Sequence, residues 1–155
     1  MITFSCEPIP DTLIFEEAYP ENLALDLETR RKILSCGVAL YVYVRGKLAG
    51  EHYGNTPANI FQKTGEHIPD TDIHDVDSYY AYSTTILPKF RGEGLSTKLL
   101  IYAQGYLTGM YPKIIGHATS EAMFHIRVDL GAHMVKKHRN WYNTGRLAWY
   151  YEQDL

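Results

Sequence analysis

Cysteine is scarce: Cys6 and Cys36 are the only two in 155 residues. Two thiols beside apolar runs make no disulfide framework. They predict buried thiols in a reducing compartment, with the cytoplasm as the expected location. Long apolar runs are missing too. No stretch approaches the ~20 residues a helix needs to cross a bilayer, and Met1-Ile-Thr-Phe-Ser lacks the basic-then-apolar order of a secretion signal, so no membrane association is expected. Neither sign of charge dominates; the net charge is −3, which disfavours nucleic acid as a partner. Repeats and low-complexity tracts are absent, which excludes solenoids and linkers.

What is present is the composition of a globular chain, 45% apolar and 21% charged, of a size for one domain over residues 1–155. Its charge is unevenly spread. Between Glu51 and Ser78 six acidic residues face one lysine, Lys63, whereas from Thr84 to Arg146 nine basic residues face three acidic ones. The second part is suited to an anionic ligand and the first to drawing cations.

Along the chain, Ile2 to Cys6 alternates as a short strand. Asp11 caps a brief helix through Phe15 and Ala18, and Pro20-Glu21 opens a second through Leu23, Leu27, Ile33 and Leu34. Val38 to Val44 and Lys47 to Tyr53 form a hairpin about Arg45-Gly46. Gly54 to Asp77 is a long loop with room for one helical turn around Ala58 to Lys63. A strand from Asp77 to Leu87 follows, then a helix through Leu95, Leu99, Leu100, Ala103 and Leu107, stopped by Gly109 and Pro112. Lys113 to Ala118 is a strand. Ser120 caps a helix ending at Leu130-Gly131, and two strands, near Ala132 to His138 and Arg146 to Tyr151, complete the chain. The order β-α-α-β-β-β-α-β-α-β-β predicts an α/β fold with a mixed sheet.

The stretch Ile86-Leu-Pro-Lys-Phe-Arg-Gly-Glu-Gly-Leu-Ser-Thr-Lys-Leu-Leu100 organises the rest. It reads as the end of a strand, a loop freed by Gly92 and Gly94, and a helix start. The amides from Arg91 to Thr97 can converge ahead of that start, where the helix dipole is positive, and such a point attracts phosphate. It is not a P-loop, because no Lys-Ser/Thr pair follows the second glycine. Nor is it the dinucleotide fingerprint, because Thr97 stands where a third glycine belongs. Lys89-Phe-Arg-Gly92-Glu-Gly94 behind Ile86-Leu-Pro88 resembles motif A of the GNAT superfamily, the acyl-CoA-dependent N-acyltransferases, whose motif reads Gln/Arg-x-x-Gly-x-Gly/Ala. The order of elements agrees with the GNAT-like fold over nearly the whole chain.

The resemblance implies acetyl-CoA as co-substrate and a primary amine of a small molecule or protein as acceptor. It implies that the motif strand parts from the next, with pantetheine bonded to backbone around Thr85, Ile86 and Leu87. Pyrophosphate would lie on the amides of Arg91, Gly92, Glu93, Gly94, Leu95 and Ser96, with the Thr97 hydroxyl nearby. Lys89 and Arg91 would add charge, and Ser120 stands where the family has Asn at a helix start. The family's usual general acid is a Tyr four residues before Gly131, and here that slot holds Arg127, which cannot act as an acid at neutral pH. Tyr82 is the expected cleft hydroxyl, on one strand face with Tyr80 and Thr84 by the two-residue period, and His125 is the second catalytic candidate. Of Glu51 and His52, at most one faces the cleft. A second reading is a non-catalytic CoA-binding or interaction protein, and homodimerisation stays open. No metal is expected: His67, Asp70, Asp72, His74, Asp75 and Asp77 have no helical ligand spacing. Lys136 to Tyr142, basic and aromatic, alternates between faces of a strand and reads as a solvated sheet edge.

Overall fold

Val38-Ala-Leu-Tyr-Val-Tyr-Val44 is β-branched or aromatic at five of its seven positions, and it forms strand β2 (Val38–Val44). Arg45 and Gly46 both take positive φ (51° and 76°), the two-residue turn that matches strand twist, and return the chain into β3 (Lys47–Asn55). A computed structural model describes residues 1–9 and 27–155. The helix expected from Asp11, and the start of the next at Pro20-Glu21, lie outside the described residues. The described remainder of that second helix is α1 (Leu27–Leu34), and it is preceded by β1 (Ile2–Ser5).

The stretch read as a long loop contains more order than expected. Thr56 accepts a hydrogen bond from the Asn59 amide (3.2 Å), Pro57 occupies the first turn, and Gly65 closes the end at φ 76°. Together they fix a helix, α2 (Pro57–Thr64), rather than a single turn. The acidic segment after it is also built. Asp72 accepts from the His74 amide, and Asp75 from the amides of Asp77 and Ser78. These carboxylates therefore shape turns, instead of standing unpaired as the sequence suggests.

The remaining elements are β4 (Ser78–Ile86), a 3₁₀ turn at Pro88–Phe90, α3 (Leu95–Leu107), β5 (Lys113–Ala118), α4 (Glu121–Asp129), β6 (His133–Trp141) and β7 (Arg146–Asp154). The strands make one mixed sheet in the order β1-β2-β3-β4-β5-β7-β6, with β4 and β5 parallel and the other pairs antiparallel. On one face α3 buries Leu95, Leu99, Ala103 and Leu107 against Leu40, Val42, Tyr79 and Ile114, and Met123 and Phe124 of α4 join them. On the other face Ile33 of α1 and Ile60 of α2 meet Tyr53, Tyr80, Ile115 and Tyr150. A buried ion pair between Arg30 and Glu51 ties α1 to β3. Cys6 and Cys36 are exposed free thiols, contrary to the expectation of burial, because each lies just beyond the end of an element.

Candidate functional site: a cleft between parted strands

The parallel strands β4 and β5 pair over four rungs only, from Ser78↔Lys113 to Ala81↔Gly116. Beyond that, β4 runs on to Ile86 beside β3, while β5 stays with β7 through Ala118. A bulge parts them. Tyr53 pairs with Ser83 and Gly54 with Ala81, so Tyr82 is the extra residue and β4 bends there. The gap opens a cleft of about 700 Å³. Tyr82 to Ile86 line one wall. His117, Thr119, Ser120, Met123 and Arg127 line the other, with Tyr151 between. Tyr151 lies across Gly116, where an added Cβ would come 2.4 Å from its hydroxyl oxygen, so only glycine allows that ring at the apex.

The same bulge corrects the reading of the strand face. Tyr80 and Tyr82 keep their rings together at 6.1 Å on the α1/α2 side. Thr84, however, is turned to the opposite side, where its hydroxyl bonds His52 Nδ1 (2.8 Å). His52 Nε2 meets the Tyr79 hydroxyl at 3.2 Å. Burial, then the charge of Arg127, push the His52 imidazole down to about 3, so it is neutral. Neither Glu51 nor His52 lines the cleft.

At the far end of β4 stands the glycine loop. Gly92 and Gly94 take φ 86° and 73°, the left-handed region, and an added Cβ at either would meet open space. Thr56 and Ser120 cap α2 and α4 with their side chains, but no side chain caps α3. The α3 ladder begins with the Lys98 amide bonded to the Gly94 carbonyl (3.2 Å), so the amides of Leu95, Ser96 and Thr97 precede it. An anion is the natural partner for such an end. Arg91 Nε–H donates to the Ile86 carbonyl (2.9 Å) and ties the loop back to the strand.

Among the expected backbone positions, Thr85 and Ile86 line the cleft, whereas Leu87 is buried and its amide donates to Ala49 of β3. Arg91, Ser96 and Ser120 also line it. Lys89 lies over the Phe90 ring and Glu93 is exposed, both outside the lining, and Leu95 turns its side chain into the core.

The other end of the cleft gathers residues that the sequence kept far apart. Glu66, just past α2, accepts hydrogen bonds from the hydroxyls of Tyr82 (3.0 Å) and Tyr142 (2.8 Å). Burial and the Glu66 charge push both phenols upward. His117 Nδ1 accepts from the Tyr80 hydroxyl (2.7 Å), and its Nε2–H donates to Asp70 (2.9 Å), which also meets His138. Burial pushes His117 down to about 4 against the upward pull of Asp70. Asp70 is held below the usual carboxylate range: burial raises it, but the bonds from His117 and His138 outweigh that. Trp141 stacks on His117 at 4.2 Å. The donor atoms of Asp70, His117 and His138 lie within 4.8 Å of one another, a set able to hold a divalent cation. They already bond one another, and the Lys136 ammonium stands 3.6 Å from the same carboxylate. His125 is not brought in. It is exposed on α4 beside Glu121, away from the lining.

Sequence reasoning counted Glu66 only among the acidic residues that draw cations, read Trp141 and Tyr142 as part of a solvated sheet edge, and did not single out His117. His117 carried a signal all the same, since it sits near the C-terminal end of a strand of the parallel pair, where α/β sheets open. Arg127, read as a departure from the family pattern, is in the lining and buried.

No protein-family model matches the chain, and no curated protein matches it in sequence. Solved structures do match in fold. The ribosomal-protein-S18-alanine N-acetyltransferase of Escherichia coli superposes with a TM-score of 0.72 at 15% identity, over 99% of this chain and 94% of that one. A GNAT family acetyltransferase from Elizabethkingia anophelis with acetyl-CoA bound gives 0.66 at 14% identity, over 99% and 98%. The IAA acetyltransferase of Bacillus cereus gives 0.68 at 13% identity, over the whole of both chains. The fold is that of the GNAT acetyltransferases.

Proposed function

We propose that a chain with this fold and this cleft is an N-acyltransferase, which moves an acetyl group from acetyl-CoA to a primary amine of a small molecule or a protein in the cytoplasm. One observation carries the reading: the edge of β4 from which β5 parts after Ala81 leads from the apex of the cleft directly to an uncapped helix start behind two left-handed glycines. An extended, amide-bearing arm ending in a pyrophosphate fits that run, strand-like along β4 and anionic at α3. Structures of this fold with acetyl-CoA bound support the choice of ligand.

Thr85 and Ile86 offer backbone to the arm, and the amides from Gly92 to Thr97 receive the phosphates, with Arg91 adding charge. Glu66 is the only carboxylate among the described lining residues. It draws an ammonium group and takes its proton, so that the free amine attacks the thioester carbonyl. The C–S bond breaks as the attacking nitrogen gives its second proton to water, and the Tyr82 hydroxyl, already bonded to Glu66, gives its proton to the departing thiolate. Glu66 then returns the amine's proton to Tyr82 along the same hydrogen bond. His117, neutral and locked by Asp70, positions Tyr80 at the wall. Holding both reactants in one cleft supplies much of the acceleration.

The test is acetyl-CoA binding by calorimetry, followed by release of the CoA thiol with a panel of primary amines. Binding with amine-dependent release is expected. No binding refutes the reading. Binding with no release for any amine favours the alternative, a CoA-binding protein without catalysis.

A further inference from the structure

Arg127 is a buried cation without a counter-charge. Its side chain lies in the lining of the cleft, the residue is 4% exposed, and its Nε has no hydrogen-bond partner. No carboxylate among the described residues pairs with it. Around it stands Tyr151, whose ring lies 5.0 Å from Cζ and whose phenol it hydrogen-bonds, and its charge reaches the neutral His52 and Tyr79; none of these is an anion. Taking a guanidinium out of water with no anion beside it is costly, and the cost lapses once an anion arrives.

Its position says which anion. Tyr151 pairs with Gly116, the last rung that β5 shares with β4, so Arg127 stands at the apex. The glycine loop lies beyond Ile86, five residues further along β4, about 17 Å at strand rise. A pyrophosphate on that loop is too far away to neutralise Arg127, and the arm that would lie between them is uncharged. A thiolate exists only for an instant and cannot compensate a charge that is buried throughout the bound state.

We propose that the apex of the cleft takes a carboxylate carried by the substrate, held by Arg127. This rests on the acyl-transfer reading and narrows its substrate class. The carboxylate has two sources. It ends the acyl chain of a dicarboxylic acyl-CoA, or it belongs to the acceptor, which is then an amino-acid-like zwitterion with its ammonium at Glu66.

Two arms separate them. In the first, succinyl-CoA is compared with butyryl-CoA, nearly equal in size, by calorimetric affinity and by thiol release. In the second, with acetyl-CoA, amino acids are compared with the amines that remain after their decarboxylation. The charged member of one arm is expected to be preferred by about tenfold or more in kcat/KM or affinity. Arg127→Gln should bring that preference to within about twofold, Arg127→Lys should keep part of it, and the Kd for acetyl-CoA should stay unchanged in both. The preference of the unaltered protein is itself a readout, so a variant that fails to fold does not stop the test. No preference in either arm, or one that survives Arg127→Gln, overturns the inference while acetyl-CoA binding stands. Loss of acetyl-CoA binding in the unaltered protein overturns both.

Discussion

Lowering the pH should unfold this protein through two histidines that it keeps neutral. His52 is held at about 3 and His117 at about 4, against an ordinary 6.5. Between 6.5 and those values the unfolded chain binds protons that the folded chain refuses, so stability rises with pH across this window and falls as the solution is acidified. At about pH 5 an unfolded histidine has gained roughly 2 kcal/mol by protonation, and the folded one almost nothing, so the pair costs about 4 kcal/mol relative to pH 8. For a domain of this size that is roughly 8–16 °C in Tm. Asp70, held low, loses its stabilising effect only at lower pH and does not obscure the window. The assay is thermal unfolding from pH 8 to 5 on the unaltered protein and on His52→Gln, whose amide can still meet Thr84 and Tyr79. His52→Gln is expected to start lower at pH 8 but to lose about half of the pH slope. Equal slopes would show that His52 is not a buried neutral group and would refute the reasoning.

Other outcomes follow from single features. Gly94→Val forces a β-branched residue to φ 73°, with about 1–2 kcal/mol of strain, and since Cβ itself meets nothing the chain should fold while acetyl-CoA affinity falls about tenfold or more by calorimetry. Glu66→Gln should raise KM for a cationic amine several-fold and flatten its salt dependence, leaving KM for acetyl-CoA alone; equal effects on both would remove Glu66 from the acceptor end. Thr56→Ala deletes the cap of α2 and should cost about 1 kcal/mol in urea unfolding, with no change in m.

The elements and the glycine loop were legible because each obeys a local rule: alternation in β2, helical spacing from Leu95 to Leu107, glycines where φ is positive. Helix α2 was underread because its neighbours, Gly54 and the acidic run, look like loop, and the decisive Thr56-Pro57 start is only two residues long. The cleft was harder. Its bulge is a mismatch between strands, Tyr53 to Gly54 against Ala81 to Ser83, which no single stretch of sequence displays. Tyr82 could be placed in the lining because it lies on the motif strand. Glu66 and Tyr142, 76 positions apart, meet only after α2 and the β6–β7 turn have both formed. His125 failed for the opposite reason: sequence placed it on the right helix but could not say which way that helix faces.

Four rungs are a narrow seam for a seven-stranded sheet. On one side lie β1 to β4, on the other β5 to β7, and the β2–β3, β3–β4, β5–β7 and β6–β7 pairs run along longer registers. Backbone amides at that seam are therefore expected to exchange before those inside either half, although the core side chains pack across it. Among the described residues, side-chain links from Tyr80, Asp70 and Glu66 to His117, His138 and Tyr142 bridge the gap at one mouth. A ligand lying along β4 supplies the rungs that the parting of the strands leaves unmade. Occupancy should then slow exchange at Ser78 to Ala81 and at their partners Lys113 to Gly116 alike, as a clasp holds both covers of a book.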